Sequence, residues 1–292
     1  MNSNIRAIIT DLKAAARIGH PDSIQAALDG LRTLSEVSSN ETLHDDFRNK
    51  AILPMALILS KPRLSSALIT SLEGDSLTAL RALAAAIYAL LYVEDESISV
   101  EELTRWSNDS RTGVRSALRL GLLHSVEQQP ERVVNLVRIW LTSDSPRLQQ
   151  LGFQVISGFP SEHCAAFIPF LSSINMESDP DVNSDLVYAL SALAQKGFAA
   201  DIISLLSEWA QAQQGSAWVI TRTLSGSWAA GEAQAALRIL RLLALQDGAH
   251  KQILTALRAL IRHGAGEVVQ TELAVWQSNK DENLRAIAEK AA

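Results

Sequence analysis

The sequence predicts an all-α protein built of antiparallel helix pairs stacked at a period of about 34 residues. Three observations carry that expectation. Apolar residues recur at spacings of three and four almost throughout, as in Ile5, Ile8, Ile9, Leu12 and again in Leu237, Ile239, Leu240, Leu243, whereas few stretches alternate with period two. Pro and Gly, with Asp and Ser, cut the chain into helices of about 10–18 residues joined by short polar turns. Trp106, Trp140, Trp209 and Trp276 each close a helical run, and their gaps of 34, 69 and 67 residues are one, two and two units of one repeat.

The elements follow in order. Residues 1–71 read as helical, with Pro54 inside a helical run, and form either a cap or divergent repeats; residues 72–292 read as regular repeats of one continuous array. Ala82 to Val93 is the longest apolar run at 12 residues, short of the ~20 that cross a bilayer, and reads as a core helix. Ser99 and Glu102 stand at capping-box spacing. Ile174 and Leu243 fill the slots without tryptophan, and Leu72 extends the series backward.

A second column lies nine residues after each marker. It reads Arg81, Arg115, Gln149, Asn183, Trp218, Gln252 and Arg285, polar in six of seven. Two residues further on, Leu83, Ala117, Leu151, Asp185, Ile220, Leu254 and Ile287 are apolar in six of seven. One polar row beside one buried row is the pattern of helical hairpins that cover one another's apolar faces.

Asp109, Val114-Arg115, Ala117 and Leu120-Gly121 resemble the second helix of a HEAT repeat, and Asp75 to Arg81 with Ala82 and Ala84 is a partial second copy. Other units depart from that pattern: Asp144 is followed by Leu148-Gln149, Asp281 stands only four before Arg285, and Gly215 replaces the acid. The resemblance implies a right-handed α–α superhelix of the HEAT-like or armadillo type. It also implies that the tryptophan-ending helices lie on the convex side and the arginine column lines the concave side.

Composition narrows the function classes. The chain has 292 residues, 47% of them hydrophobic, 20% charged and 5% aromatic, with 8 prolines, which excludes wholesale disorder. The single Cys164 excludes an internal disulfide and a cysteine-based zinc cluster. The net charge of −6 is shared evenly, 15 basic and 18 acidic residues in 1–146 against 11 and 14 in 147–292, which disfavours a strongly basic nucleic-acid binder. The second helices carry +4 between them and leave −10 elsewhere; the stretch 215–229 holds +1 and 249–263 holds +3 with no acid in either. The first 19 residues carry Arg6, Asp11, Lys13 and Arg17 and lack a signal-peptide core, so a cytoplasmic protein without a membrane span is expected. The Asn40 and Asn108 triplets match the glycosylation acceptor but carry no weight without a secretory signal.

Candidate sites are few. The tryptophan markers fit packing between repeats, with base stacking as the alternative. Trp218 stands where its counterparts are Arg, Gln or Asn, with Arg222 one turn on and Trp228 and several hydroxyls nearby, which reads as a locally repacked repeat or a recognition patch. Asp185 breaks the apolar row: either the loop from Met176 to Asp181 slips the register by one and puts Leu186 inside, or Asp185 and Trp218 share one groove. Asp179, Asp181 and Asn183 mimic a calcium loop but lack its Gly and its bidentate acid, so helix capping is expected. His163 and Cys164 are neighbours on one helix and badly placed as a base and nucleophile. Metal spacings, phosphate-binding glycine motifs and nucleophile elbows are absent; Gly264 and Gly266 meet Val269 where a third glycine is needed.

The expectation is therefore a non-enzymatic scaffold, without cofactor or metal, that binds a protein partner through Arg81, Arg115, Arg119, Gln149, Trp218 and Arg222. Arg81 and Arg115 have a structural alternative, pairing with cap acids of adjacent repeats. A second expectation comes from the resemblance to HEAT-like DNA alkylation glycosylases. It implies nucleic-acid binding, with Asp185 stabilising a cationic sugar and Trp218 packed on the damaged nucleotide. A third is a chaperone or lyase for a bilin, since some bilin lyases also look like HEAT arrays. The oligomeric state is left open.

Overall fold

A computed structural model describes residues 3–34, 43, 47–95, 98–172, 174, 179–213, 216–246 and 249–291, with side chains for all of these except 62–67. The Asn40 triplet, Gly215 and the Met176 side of the loop before Asp179 lie outside the described residues. Among the described residues every regular element is helical and there is no strand. The chain divides into two compact units, Met1–Leu151 and Gly152–Ala292.

The first unit starts with α1 (Ser3–Ile18) and α2 (Pro21–Arg32), packed together through Ile5, Ile8, Leu12, Ile24, Leu28 and Leu31. A π-helical turn, Arg48–Ile52, runs into α3 (Leu53–Leu59). Pro54 lies just after this π-helical turn within one unbroken helical run, residues 47–59, so the missing N–H coincides with a local departure from α-helical hydrogen bonding. Then come α4 (Pro62–Glu73), α5 (Thr78–Glu94), α6 (Val100–Ser107), α7 (Thr112–Ser125), α8 (Pro130–Leu141) and α9 (Pro146–Gly158). Ser99 and Glu102 form the reciprocal capping box at the start of α6, with bonds of 3.3 and 3.1 Å. The most extensive contact joins α5 to α7. Small residues permit it: Ala79, Ala82, Ala85, Ala86 and Ala89 are fully buried, and Gly121 faces Ala86 and Ala89 so closely that a Cβ there would meet Ala89 Cβ at 2.6 Å and the Ala86 carbonyl at 2.7 Å.

Acids at the helix starts tie this unit together. The Asp75 carboxylate accepts from the Leu77 amide at 2.8 Å and from the Arg32 guanidinium. Asp109 does the same for the Arg111 amide, at 2.9 Å, and for Arg81, which also donates to the Glu73 carbonyl. The Asp75 bond holds Arg32 above its usual pKa range.

In the second unit the end of α9 leads through a 3-10 segment, Ser161–Phe167, to α10 (Ile168–Leu171), α11 (Pro180–Leu193), α12 (Ala199–Ala212) and α13 (Ala217–Leu224). A second 3-10 segment, Ser227–Glu232, precedes α14 (Ala233–Ala244), α15 (His250–Leu260), α16 (Gly266–Gln277) and α17 (Glu282–Ala291). Two rows of helices result: α11 packs on α13, α13 on α15 and α15 on α17, while α12 packs on α14 and α14 on α16. Two of the links between the rows turn on a glycine in left-handed backbone, Gly197 at φ 103° and Gly264 at φ 102°. A side chain there meets the steric penalty of positive φ, which glycine avoids. Pro180–Ala212 is long and apolar enough to cross a membrane by length and composition. The turn at Gly197 divides it into two 14-residue helices. Each is ~21 Å long against the ~30 Å of a bilayer core.

The four tryptophan markers sit at helix ends and are 0–3% exposed. Trp140 Nε1 donates to Thr104 Oγ1 at 3.3 Å, and Trp276 Nε1 to Glu272 Oε1 at 2.6 Å. Arg81 and Arg105 lie over the Trp106 ring at 5.6 and 5.7 Å. Leu72 and Leu243 are buried as marker residues, but Ile174 lies beyond α10, where Leu171 fills the core instead. In the buried row, Leu186 at 1% and Ile253 at 0% occupy the interior, leaving Asp185 and Leu254 half-buried.

Candidate binding groove

Helix α13 is set by Ser216, whose hydroxyl accepts from the Trp218 amide at 3.2 Å. With 3.6 residues per turn, Val219, Ile220, Thr223 and Leu224 then point inward and are buried. Trp218, Arg222 and Ser225 share the outward stripe, with Trp218 40% exposed. Helix α15 buries Ile253, Ala256, Leu257 and Leu260 and leaves Lys251, Thr255 and Arg258 on its own outward stripe, with Arg262 exposed just beyond. Between the two stripes, and touching Ser184 of α11, lies an open cavity of about 450 Å³. Its walls are Trp218, Thr221, Arg222 and Ser225 from α13 and Lys251, Gln252 and Thr255 from α15.

The charge of this groove is unbalanced. Arg222, Lys251, Arg258 and Arg262 are exposed and make no ion pair among the described residues, and neither α13 nor α15 contains an acid. Its hydroxyls have already placed their protons on their own helices: Thr221 on the Ala217 carbonyl at 2.7 Å, Ser225 on that of Thr221 at 2.8 Å and Thr255 on that of Lys251 at 3.0 Å. Gln252 Oε1 is buried and has no hydrogen-bond partner in the protein. The groove thus offers two cations, an indole face and several acceptors, a set suited to holding a ligand. It contains no acid or histidine to move a proton.

Of the residues expected from sequence, Trp218 and Arg222 meet in this groove. Asp185 does not join them. It is half-buried and its Oδ2 accepts from Gln154 Nε2 at 3.1 Å, because the register admits Leu186 to the core and turns Asp185 toward α9. Gln149 Nε2 donates to the Ser143 carbonyl at 2.8 Å, and Arg115 donates to the carbonyls of Asp109 and Ser110 at 2.7 and 3.1 Å. Burial holds Arg115 below its usual pKa range, with Arg147 adding to the effect and Asp109 opposing it. Arg81 is held by Glu73 and Asp109, and Arg119 is half-buried on α7. These four ends are occupied by, or packed into, the fold rather than displayed. Gln252 stands out in the sequence only as a member of the polar column, and Lys251, Thr255 and Ser184 do not stand out at all. The signal that points to them is the absence of any acid across 215–229 and 249–263.

Other groups offer less. A cavity of about 390 Å³ between α14 and α16 mixes Arg238 with Glu267 and Glu272, and Glu272 is engaged by Trp276. Cys164 sits in the 3-10 segment Ser161–Phe167, fully buried, donating to the Pro160 carbonyl at 3.3 Å; burial raises its thiol pKa, with Lys196 opposing and Glu162 adding to the effect. Lys196 caps the end of α9 through the carbonyls of Ser157 and Phe159 at 2.7 and 2.8 Å, and burial lowers its pKa. Among the described residues no group of three or more His, Cys, Asp or Glu could hold a metal ion.

Fold and groove together define an all-helical protein with an open, cationic and aromatic site. No family model and no curated protein matches the chain. Among solved structures it is similar to two engineered proteins from the Northeast Structural Genomics Consortium. One is 15% identical with a TM-score of 0.33 over 100% of this chain and 88% of that one. The other is 13% identical with a TM-score of 0.27 over 100% and 97%. At these scores neither bears on fold detail or function.

Proposed function

We propose that the protein is a non-enzymatic binding module of the HEAT-like type, an array of helical hairpins, which holds a protein partner on the face formed by α11, α13 and α15. One observation carries the reading: Arg222 and Lys251 stand exposed and unpaired beside Trp218, while Arg81 and Arg115, which hold the place of Trp218 in other units, are spent on the fold. A large aromatic and an arginine on a concave surface are the side chains that most often dominate a protein interface. The test is affinity capture from native cells with wild type and an Arg222→Glu/Lys251→Glu variant of unchanged melting temperature. A stoichiometric partner held by the wild type and lost by the variant supports the reading. Equal retention by both, or no partner, refutes it.

Nucleic-acid binding has the same unpaired cations in its favour. The glycosylase form of it does not, since Asp185 is engaged by Gln154 outside the walls of the groove.

A further inference from the structure

We infer that the groove between α13 and α15 recognises a short extended segment of a partner protein rich in Asp and Glu, with an apolar or aromatic side chain laid on Trp218. The inference rests on the binding-module reading of the same site and names the class of partner.

Charge gives the first argument. Four cations line one surface with no acid on either helix to neutralise them, in a protein whose net charge is −6. In the first unit three arginines are taken up by acids: Arg32 by Asp75, Arg81 by Asp109 and Arg105 by Glu73. On α13 and α15 no cation has such a partner among the described residues.

Spacing gives the second. At 1.5 Å of rise per residue, Lys251 and Arg258 stand ~10 Å apart along the α15 axis and Arg262 ~6 Å further on. An extended chain advances ~3.3 Å per residue and repeats a side chain on one face every ~6.6 Å. A segment of about six residues with acids at alternate positions spans that row, and its other face turns its side chains away from the cations.

The hydrogen-bond inventory gives the third and separates a peptide from a polyphosphate. At the groove surface Ser225 and Thr255 donate to their own helices and keep free acceptor lone pairs, while Thr221 and Gln252 Oε1 lie buried beneath them. A peptide backbone supplies N–H donors between its carboxylates. A phosphodiester backbone supplies none, so its oxygens could be met by Arg222 and Lys251 but would leave the hydroxyl acceptors of Ser225 and Thr255 unmatched. Trp218, 40% exposed and with no cation over its ring among the described residues, is left to take the apolar side chain.

The experiment is fluorescence anisotropy on the full chain with a fluorescein-labelled hexapeptide alternating Asp and Phe. A Lys–Phe hexapeptide and a six-nucleotide thymidine oligonucleotide serve as comparison probes. The Asp–Phe peptide is expected to bind tightest and to weaken about tenfold in Arg222→Glu/Lys251→Glu. It should also weaken severalfold between about 50 and about 300 mM salt, as screening shortens the range of the cations. Thr255→Val is expected to weaken it about threefold without lowering the melting temperature, since the variant removes an exposed acceptor that bonds only its own helix. Equal binding of the Lys–Phe peptide, or no binding of the Asp–Phe peptide, overturns the inference. A captured partner that depends on Arg222 and Lys251 but docks through a segment without acids overturns the inference alone and leaves the binding-module reading standing. Tighter binding of the oligonucleotide overturns both.

Discussion

Replacing Gly121 by alanine sets two effects of known sign against each other. Alanine in a helix interior is favoured over glycine by ~1 kcal/mol. The new methyl, however, would stand 2.6 Å from Ala89 Cβ and 2.7 Å from the Ala86 carbonyl, about an ångström inside ordinary contact. The carbonyl belongs to the backbone of a largely buried helix, so relief requires α5 and α7 to separate along their most extensive contact. Overpacking of this kind costs ~1–3 kcal/mol, and more where backbone must move. The expected net effect is a loss of ~1–2 kcal/mol, a fall of ~2–8 °C in the transition of a unit of this size. Calorimetry and helix melting followed together measure it, because a chain of two compact units need not melt in one step. Gly74→Ala is the control: a Cβ there meets nothing within 4 Å and its φ is −82°, so stability should hold or rise by ~0.4–1 kcal/mol. Ala89→Gly in the Gly121→Ala background should return part of the loss by removing the nearer clash. A Gly121→Ala protein as stable as wild type would refute the reasoning, because propensity alone would then govern the site.

Other perturbations test other parts of the molecule. Gly197→Ala and Gly264→Ala should each cost ~1–2 kcal/mol in thermal melts, the strain of an L-residue at φ above 100°, although neither site is crowded. Trp140→Ala should cost ~3–5 kcal/mol as a core truncation, while Trp218→Ala, at the 40% exposed position, should leave the melting temperature within a degree or two and abolish hexapeptide binding. Cys164 should resist a thiol reagent at pH 8 in the folded protein, because the thiolate is the nucleophile and burial raises the thiol pKa; labelling should appear only when denaturant opens the second unit.

Helix identity was legible because it rests on short-range periodicity: the buried faces of α1 and α14 are the residues the 3–4 spacing picks out. The burial of the four tryptophans at helix ends was legible for a related reason, since a large aromatic side chain beside a turn has to be covered. An aliphatic residue leaves a weaker mark, and at Ile174 the packing falls to Leu171 instead. Asp185 left two registers open in the sequence, and the structure has the one-residue slip that puts Leu186 inside, a step that swings a helical side chain by 100° from one face to another. The arginine column was legible as a column but not as chemistry. Whether Arg81 points at a partner or at Asp109 depends on the place of a residue 28 positions away, which no local pattern encodes. Lys251 and Thr255 were missed for the opposite reason: exposed polar residues on a helix are unremarkable one at a time, and only the missing acids set them apart.

The pairing of helices also governs how the chain reaches this structure. The extensive contacts in each unit join helices no more than four apart in sequence, and most join immediate neighbours or helices one removed. Closing such contacts requires short loops, whose entropic cost is small, and proteins of low contact order fold quickly. A ribosome adds ~5–20 residues each second, so α5 and α7 can dock within seconds of α7 emerging, before the second unit is complete. Within each unit assembly can therefore proceed hairpin by hairpin, with each new pair of helices laid on a surface that unit has already formed.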